Sequence, residues 1–351
     1  MPILVIGDLH CKPQLSYAEY IKDRREGEKQ EILDFIVKQA ENCEYVVFLG
    51  DGLNGRTNAP EVIKEFTNFI EKFDGKEVFI IKGNHESLPG GKSAIDFLKE
   101  IKGKRWHIIT NSVEKHQLGP VSATFCPYFT KAELDAKDNS EALALIMEKL
   151  TPADLLFHHH TMGVGGKIAG LPLDINQLPE PVLPIEKLNK IYKQIIGGHI
   201  HKPTTKLPKA IVAGSIFTSE VGEGDKYVWK INETLPNWEA SIEQITLPGR
   251  AIYKLENPVK ADLEKLPTDS IVKAIITKKI SVEEMDELKK ILKRFDAFII
   301  LERIPRERKK MHFSDGESII DFNIDKLLET YAKDQKIDLP LLKHGFDLIR
   351  E

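Results

Sequence analysis

Pro2-Ile3-Leu4-Val5-Ile6-Gly7-Asp8, Glu44-Tyr45-Val46-Val47-Phe48-Leu49-Gly50 and Glu77-Val78-Phe79-Ile80-Ile81-Lys82-Gly83 are the three stretches whose reading decides the fold. Each holds a short apolar run, rich in β-branched or aromatic residues, that stops at a glycine, which predicts buried strands. Between them the apolar spacing turns helical. Ile32, Phe35, Ile36 and Ala40 share one face of residues 28–41, and Val62, Phe66, Phe69 and Ile70 share one face of residues 59–73. Strands alternating with helices predict an α/β layer fold with a largely parallel sheet.

Further along, strands are expected at Ala123–Phe125, Asp154–Phe157, Ile195–Ile196 and Ala210–Ala213, with a helix near Ser140–Leu150. The proline-rich segment Pro172–Pro184 reads as a loop. The alternating runs Tyr227–Ile231, Ala240–Ile245 and Ala251–Leu255 suggest antiparallel strands of a second sheet packed on the first. Near Asn257–Asp269 the pattern changes, and a strand–helix–strand unit follows at Ser270–Thr277, Val282–Phe295 and Ala297–Glu302. Then come the basic run Arg303–Lys310 and two amphipathic helices, Asn323–Lys333 and Leu339–Ile349. The expected division is therefore residues 1–256, 257–312 and 313–351.

The chain has 351 residues, enough for a sizeable core, with 41 % hydrophobic and 30 % charged residues and a formal net charge of −4. That balance argues against a wholly electrostatic nucleic-acid coat and leaves room for a local basic groove. Cys11, Cys43 and Cys126 form no CxxC, so neither a disulfide framework nor a thiolate zinc site is expected, and a reducing cytoplasm suits them. No apolar run reaches the roughly 18 residues that span a bilayer, and the N-terminus lacks the basic start and cleavage site of a signal peptide. The expectation is a cytoplasmic protein without a membrane partner.

Seven of the eleven histidines fall in four short clusters: Gly7-Asp8-Leu9-His10, Gly83-Asn84-His85-Glu86, His158-His159-His160 and Gly198-His199-Ile200-His201. Gly50-Asp51-Gly52-Leu53-Asn54 joins them. Every cluster follows an expected strand, and the carboxyl ends of parallel strands line one crevice. Imidazole with carboxylate suits divalent Mn, Fe or Zn. The set exceeds what one catalytic metal takes, whereas two metals roughly 3.5–4 Å apart, sharing a carboxylate, would use it all.

The ordered blocks Asp8-x-His10, Gly50-Asp51-x-x-Asn54, Gly83-Asn84-His85-Glu86, His159 and Gly198-His199-x-His201 resemble the calcineurin-like metallophosphoesterase signature. Within that superfamily the chain is most similar to the SbcD-type DNA exonuclease subunits. Cys126-Pro127-Tyr128 resembles that family's Pro-Tyr after a strand, and Ala213-Gly214-Ser215 through Val221-Gly222-Glu223 its Gly-Ser…Gly-Glu segment. The resemblance implies a two-sheet α/β sandwich core, a small α+β DNA-capping domain and C-terminal helices that dock an SbcC-type, SMC-like coiled-coil ATPase. It implies two divalent metals, expected to be Mn2+. Asp8, His10 and His201 would hold one; Asn84, His159 and His199 the other; Asp51 would bridge them. His85 would protonate the leaving oxygen or stabilise charge beside the phosphate, with Glu86 supporting His85 or the loop. In the triplet His159 is favoured, with His158 the alternative. The implied activity is 3′→5′ exonuclease and single-strand endonuclease on DNA, in repair and recombination, by a homodimer. The core motifs equally fit a phosphoesterase of small diesters or monoesters.

Other features carry less. Gly90-Gly91-Lys92-Ser93 looks like the end of a P-loop, but Glu86 stands where the first glycine belongs. Gly163-Val164-Gly165-Gly166-Lys167 lacks the following Ser or Thr. Cys11 is expected to face away from the metals. Lys12, Arg24 and Arg25, like the Arg303–Lys310 run, are candidate phosphate contacts or simply a solvated face.

Overall fold

The computed structural model describes residues 2–11, 22–168, 178–218, 222–234, 237–250, 252–267, 270–301 and 333. The Arg303–Lys310 run, both expected tail helices apart from Lys333, and Lys12 lie outside the described residues, as do the side chains of Arg24 and Arg25.

Ile3–Ile6, Tyr45–Phe48, Glu77–Ile81 and Trp106–Ile109 lie side by side in parallel, in that order. Alternation along each strand sends side chains to opposite faces. Ile3, Val5, Val47 and Phe79 enter one core, and Leu4, Ile6, Val46 and Phe48 another. The second of these cores is closed by two helices, Lys22–Gln39 and Pro60–Glu71. Proline at the start of the latter fits a position whose N–H needs no intrahelical partner. Phe48, Phe69 and Phe73 meet there edge to face at 5.2–5.9 Å.

A second six-stranded sheet runs Thr204–Leu207, Ala210–Val212, Gln194–Gly197, Leu155–His158, Val121–Cys126, Glu114–Leu118. Its Ala123, Phe125, Leu155, Phe157 and Ile196 fill the same core as Ile3 and Val5, so the two sheets are layers of one sandwich. Its outer face packs on helix Asn139–Lys149, where Ile146 meets Leu156 and Ile195. Asp138 caps that helix, accepting from the N–H groups of Ser140 and Glu141 at 2.9 Å. The expected α/β sandwich is the fold.

Two details depart from expectation. Tyr227–Ile231 and Glu243–Thr246 are antiparallel but extend the first sheet, on the edge of Ile3–Ile6 that the parallel strands leave open. Val228 and Trp229 are accordingly buried on opposite faces, in different cores. Ile252–Glu256 joins neither large sheet. It pairs in parallel with Ile271–Ile276, which pairs with Asp296–Leu301. This third sheet, with helix Val282–Leu292, has its own apolar cluster of Leu263, Val272, Ala274, Ile276, Leu288 and Leu292. Met1–Glu302 cluster as one compact unit. No helix among the described residues is long and apolar enough to cross a membrane.

Candidate metal centre

The sandwich brings five strand ends together. Asp8, Asp51, Asn84, His159 and His199 each stand one to three residues beyond the end of a parallel strand. Backbone bonds stitch the loops: Leu9 and His10 both donate to the Asp51 carbonyl, at 3.1 and 2.9 Å, and Gly198 donates to the His158 carbonyl at 3.0 Å. His199 N–H donates to Asp8 Oδ1 at 3.0 Å and His85 N–H to Asp51 Oδ1 at 2.9 Å. Glu86 is a clamp. Its buried carboxylate accepts from Asp51 N, Leu53 N and Gly83 N at 2.8–3.1 Å, tying two loops into one unit. Burial and the neighbouring Asp51 push Glu86 up to about 8.

The approach is so close that a Cβ at Gly83 would lie 2.1 Å from Asp51 Oδ1. His10, Asp51 and His199 adopt left-handed backbone conformations, with φ of 42°, 47° and 76°. Non-glycine residues held this way store strain, of the kind that collects at functional sites.

The donor atoms fall into groups whose members lie within 4.8 Å of one another: Asp8, His10 and His201; and Asp51, His159 and His199. A third group joins His10, Asp51 and His85 across the middle. Three histidines are aimed by an acceptor behind them. His159 Nδ1 donates to the Leu49 carbonyl at 2.6 Å, turning Nε2 toward Asp51 Oδ2 at 3.2 Å. His199 Nε2 donates to Glu180 Oε1 at 2.8 Å, turning Nδ1 inward; His201 Nδ1 donates to Glu223 Oε1 at 3.1 Å, turning Nε2 inward. An acceptor on the far nitrogen is what fixes the tautomer of a metal-ligating histidine.

The inward atoms fit a pair of cations. Asp8 Oδ2 is buried with no hydrogen-bond partner, 3.8 Å from His201 Nε2. His10 Nε2 and His201 Nε2 approach to 2.9 Å. The Asn84 carboxamide lies 3.1 Å from His159 Nε2 and 2.9 Å from His199 Nδ1; with its oxygen turned to His199 Nδ1, two lone pairs face each other, and turning the amide over puts its NH2 there instead. In the first orientation the facing acceptors are relieved by a cation.

Electrostatics agrees. Burial pushes His10 down to about 4 despite Asp51 and Asp8, leaving a neutral donor. Burial opposes charge on His159 too, but the Asp51 carboxylate outweighs it and lifts the imidazole to about 10. Histidine binds metal only when neutral, so a cation held by His159 would have to displace the Nε2 proton. Glu180 and Glu223, although burial opposes it, are held at about 2, chiefly by His199 and by His201 with Lys226.

His85 stands differently. Its Nδ1 donates to the Asn54 carbonyl at 2.9 Å, and its Nε2, 4.0 Å from Asp51 Oδ2, faces the cluster on a side chain 39 % exposed. It reaches solvent and the donor set together.

All eight expected site residues thus meet at one place. Of the triplet, His159 is the member brought to the cluster. His158 instead accepts from the His160 N–H, and its ring lies against Gly197. His160 accepts from the Phe129 N–H and stacks on Tyr128. Cys11 is buried in the apolar core, where burial raises its thiol, and it joins none of the donor groups. Gly90-Gly91-Lys92-Ser93 closes a loop in which Leu88 N–H donates to the Lys92 carbonyl, and Gly165-Gly166 is a two-residue hairpin turn. Sequence reasoning missed the role of Glu180, which sits in the proline-rich segment with no pattern to mark it, and saw Glu223 only as part of a motif.

A model of the calcineurin-like phosphoesterases matches residues 1–203, a span that ends two residues past His201. No curated protein matches the chain.

Proposed function

The chain belongs to the calcineurin-like phosphoesterase family and is a metal-dependent phosphoester hydrolase; from that premise we propose that its substrate is DNA. In this reading it is a 3′→5′ exonuclease and single-strand endonuclease that processes DNA ends in repair, as a homodimer partnered by an SMC-like coiled-coil ATPase, with Mn2+ as its metal. The observation that carries the chemistry is the pair of donor pockets meeting at Asp51 with His85 Nε2 beside them. What supports DNA as substrate is the resemblance of the whole block order to the SbcD-type subunits. A third sheet with its own core follows the sandwich, where that family carries a DNA-capping domain.

Two divalent cations would supply charge neutralisation at phosphorus and lower the pKa of an attacking water. The chain's own residues do the rest. Asp8, His10 and His201 would hold one cation, Asn84, His159 and His199 the other, and Asp51 both. Leu49, Glu180 and Glu223 keep the ligating nitrogens turned inward. The Asn54 carbonyl keeps the Nδ1 proton of His85, so that Nε2 is the atom that carries a proton to the leaving oxygen.

The test is cleavage of end-labelled duplex and single-stranded DNA with Mn2+, Mg2+ or chelator, with bis-p-nitrophenyl phosphate in parallel. Mn2+-dependent DNA cleavage that His85→Ala abolishes is the expected result. Hydrolysis of the small diester with no DNA cleavage, even with a coiled-coil ATPase added, would overturn DNA as substrate and leave the small-molecule reading.

A further inference from the structure

The two pockets differ in charge. The first has two carboxylates among its direct donors, Asp8 and the shared Asp51; the second has only the shared Asp51, because Asn84 is neutral. Each has a glutamate behind one histidine, but the two glutamates are differently engaged. Glu223 accepts from His201 Nδ1 with one oxygen, and Lys226 Nζ lies 2.9 Å from the other. Glu180 accepts from His199 Nε2 at 2.8 Å, from the Thr161 hydroxyl at 2.5 Å and from the Tyr128 hydroxyl at 2.9 Å. Among the described residues no lysine or arginine pairs with Glu180. Its side chain is only 15 % exposed, so solvent screens its charge weakly.

We propose that Glu180 is a positioning residue that supplies, through His199, the negative charge the second pocket's own donors lack, so that the second cation depends on Glu180 more than the first depends on Glu223. The inference rests on the two-cation reading of the site. A carboxylate hydrogen-bonded to the far nitrogen of a histidine makes that histidine a stronger donor and fixes its tautomer. Lys226 already offsets part of the charge on Glu223, so less of it reaches His201. Tyr128 and Thr161 are neutral; they hold the Glu180 carboxylate in place without cancelling its charge.

The test is titration of the full chain with Mn2+ alone, followed by calorimetry and by the electron paramagnetic resonance of free Mn2+. Wild type is expected to bind two ions. Glu180→Gln preserves size and an acceptor oxygen while removing the charge, and should weaken one of the two sites by about 10- to 100-fold with the other unchanged. Glu223→Gln should weaken one site by a smaller factor. Adding Asn84→Asp to Glu180→Gln returns a carboxylate to the second pocket and should restore its binding. Asn84→Asp alone, with the Glu180 network intact, should tighten the second site, so the inference stays testable even if Glu180→Gln does not fold. Unaltered binding in Glu180→Gln, equal loss at both sites, a larger effect of Glu223→Gln, or no gain from Asn84→Asp would each overturn the inference while leaving two-ion binding intact. A wild-type chain that binds fewer than two Mn2+ ions would overturn the two-cation reading itself, and the inference with it.

Discussion

The pocket of Asp8, His10 and His201 and the pocket of Asn84, His159 and His199 share Asp51 and a histidine backed by a glutamate, and differ in where their charge sits. Each has one fully buried donor, Asp8 in the first and His159 in the second, and one reaching partway to solvent, His201 at 31 % and His199 at 16 %. In the first, charge sits on the donors. In the second, much of it sits one bond further back, on Glu180. A buried site must hold its donors by hydrogen bonds to the surrounding protein, because solvent cannot reorganise around them. His159 is held by the Leu49 carbonyl, and Asp51 by the backbone that Glu86 clamps. The difference teaches that one carboxylate, Asp51, is the common element through which either pocket can fail.

The harshest way to break the comparison is therefore Asp51→Asn. Asparagine tolerates the left-handed backbone at this position, so the fold should survive. Both cation sites should weaken together, and phosphodiester hydrolysis should fall to background. If calorimetry shows one Mn2+ site intact, the carboxylate is not shared. His85→Ala acts on chemistry alone: two Mn2+ ions should still bind while kcat on bis-p-nitrophenyl phosphate falls by about 10²–10⁴-fold, the range for loss of an acid–base group. Loss of an ion in that variant would make His85 a ligand instead.

Adjacent histidines give the next contrast. His159→Ala should remove the second ion only. His158→Ala should leave both ions bound and cost about 2–5 kcal/mol of fold stability, as large-to-alanine changes in packed interiors do, measured by urea unfolding. The opposite pattern would assign the second pocket to His158.

That pair also shows what is legible in the sequence. The three β-branched runs ending in glycine and the histidine blocks beyond them are enough for the sandwich and for the meeting of all eight site residues. The motif alone leaves the triplet open, yet alternation distinguishes its members. Phe157 points into the core between the sheets and Leu156 to the outer face, so His159 shares the side of Phe157, and His158 that of Leu156. Tyr253-Lys254-Leu255-Glu256 alternates like any half-exposed strand, and alternation alone does not say which sheet such a strand joins. Glu180 is invisible for another reason. Its meeting with His199 is made by the non-periodic stretch of residues 178–182, and no local period encodes it.

The smallest effect sharpens the first pocket. Cys11 follows His10 directly, and a thiolate there would add a third negative donor to the first pocket and exaggerate its contrast with the second. The structure turns the side chain the other way, into the apolar core that also holds Leu9, Ile32 and Leu33. Burial keeps the thiol protonated, and a protonated thiol is a poor ligand. The Cys11 backbone carbonyl, by contrast, accepts from the Lys29 ammonium at 2.8 Å, a bond that no side-chain change at Cys11 removes. Cys11→Ala should therefore leave a cavity of little more than one methylene, cost about 1 kcal/mol in urea unfolding, and leave the Mn2+ isotherm of the first pocket unchanged. A weakened first site in that variant, with folding intact, would place sulfur among its donors and rewrite the charge difference between the pockets.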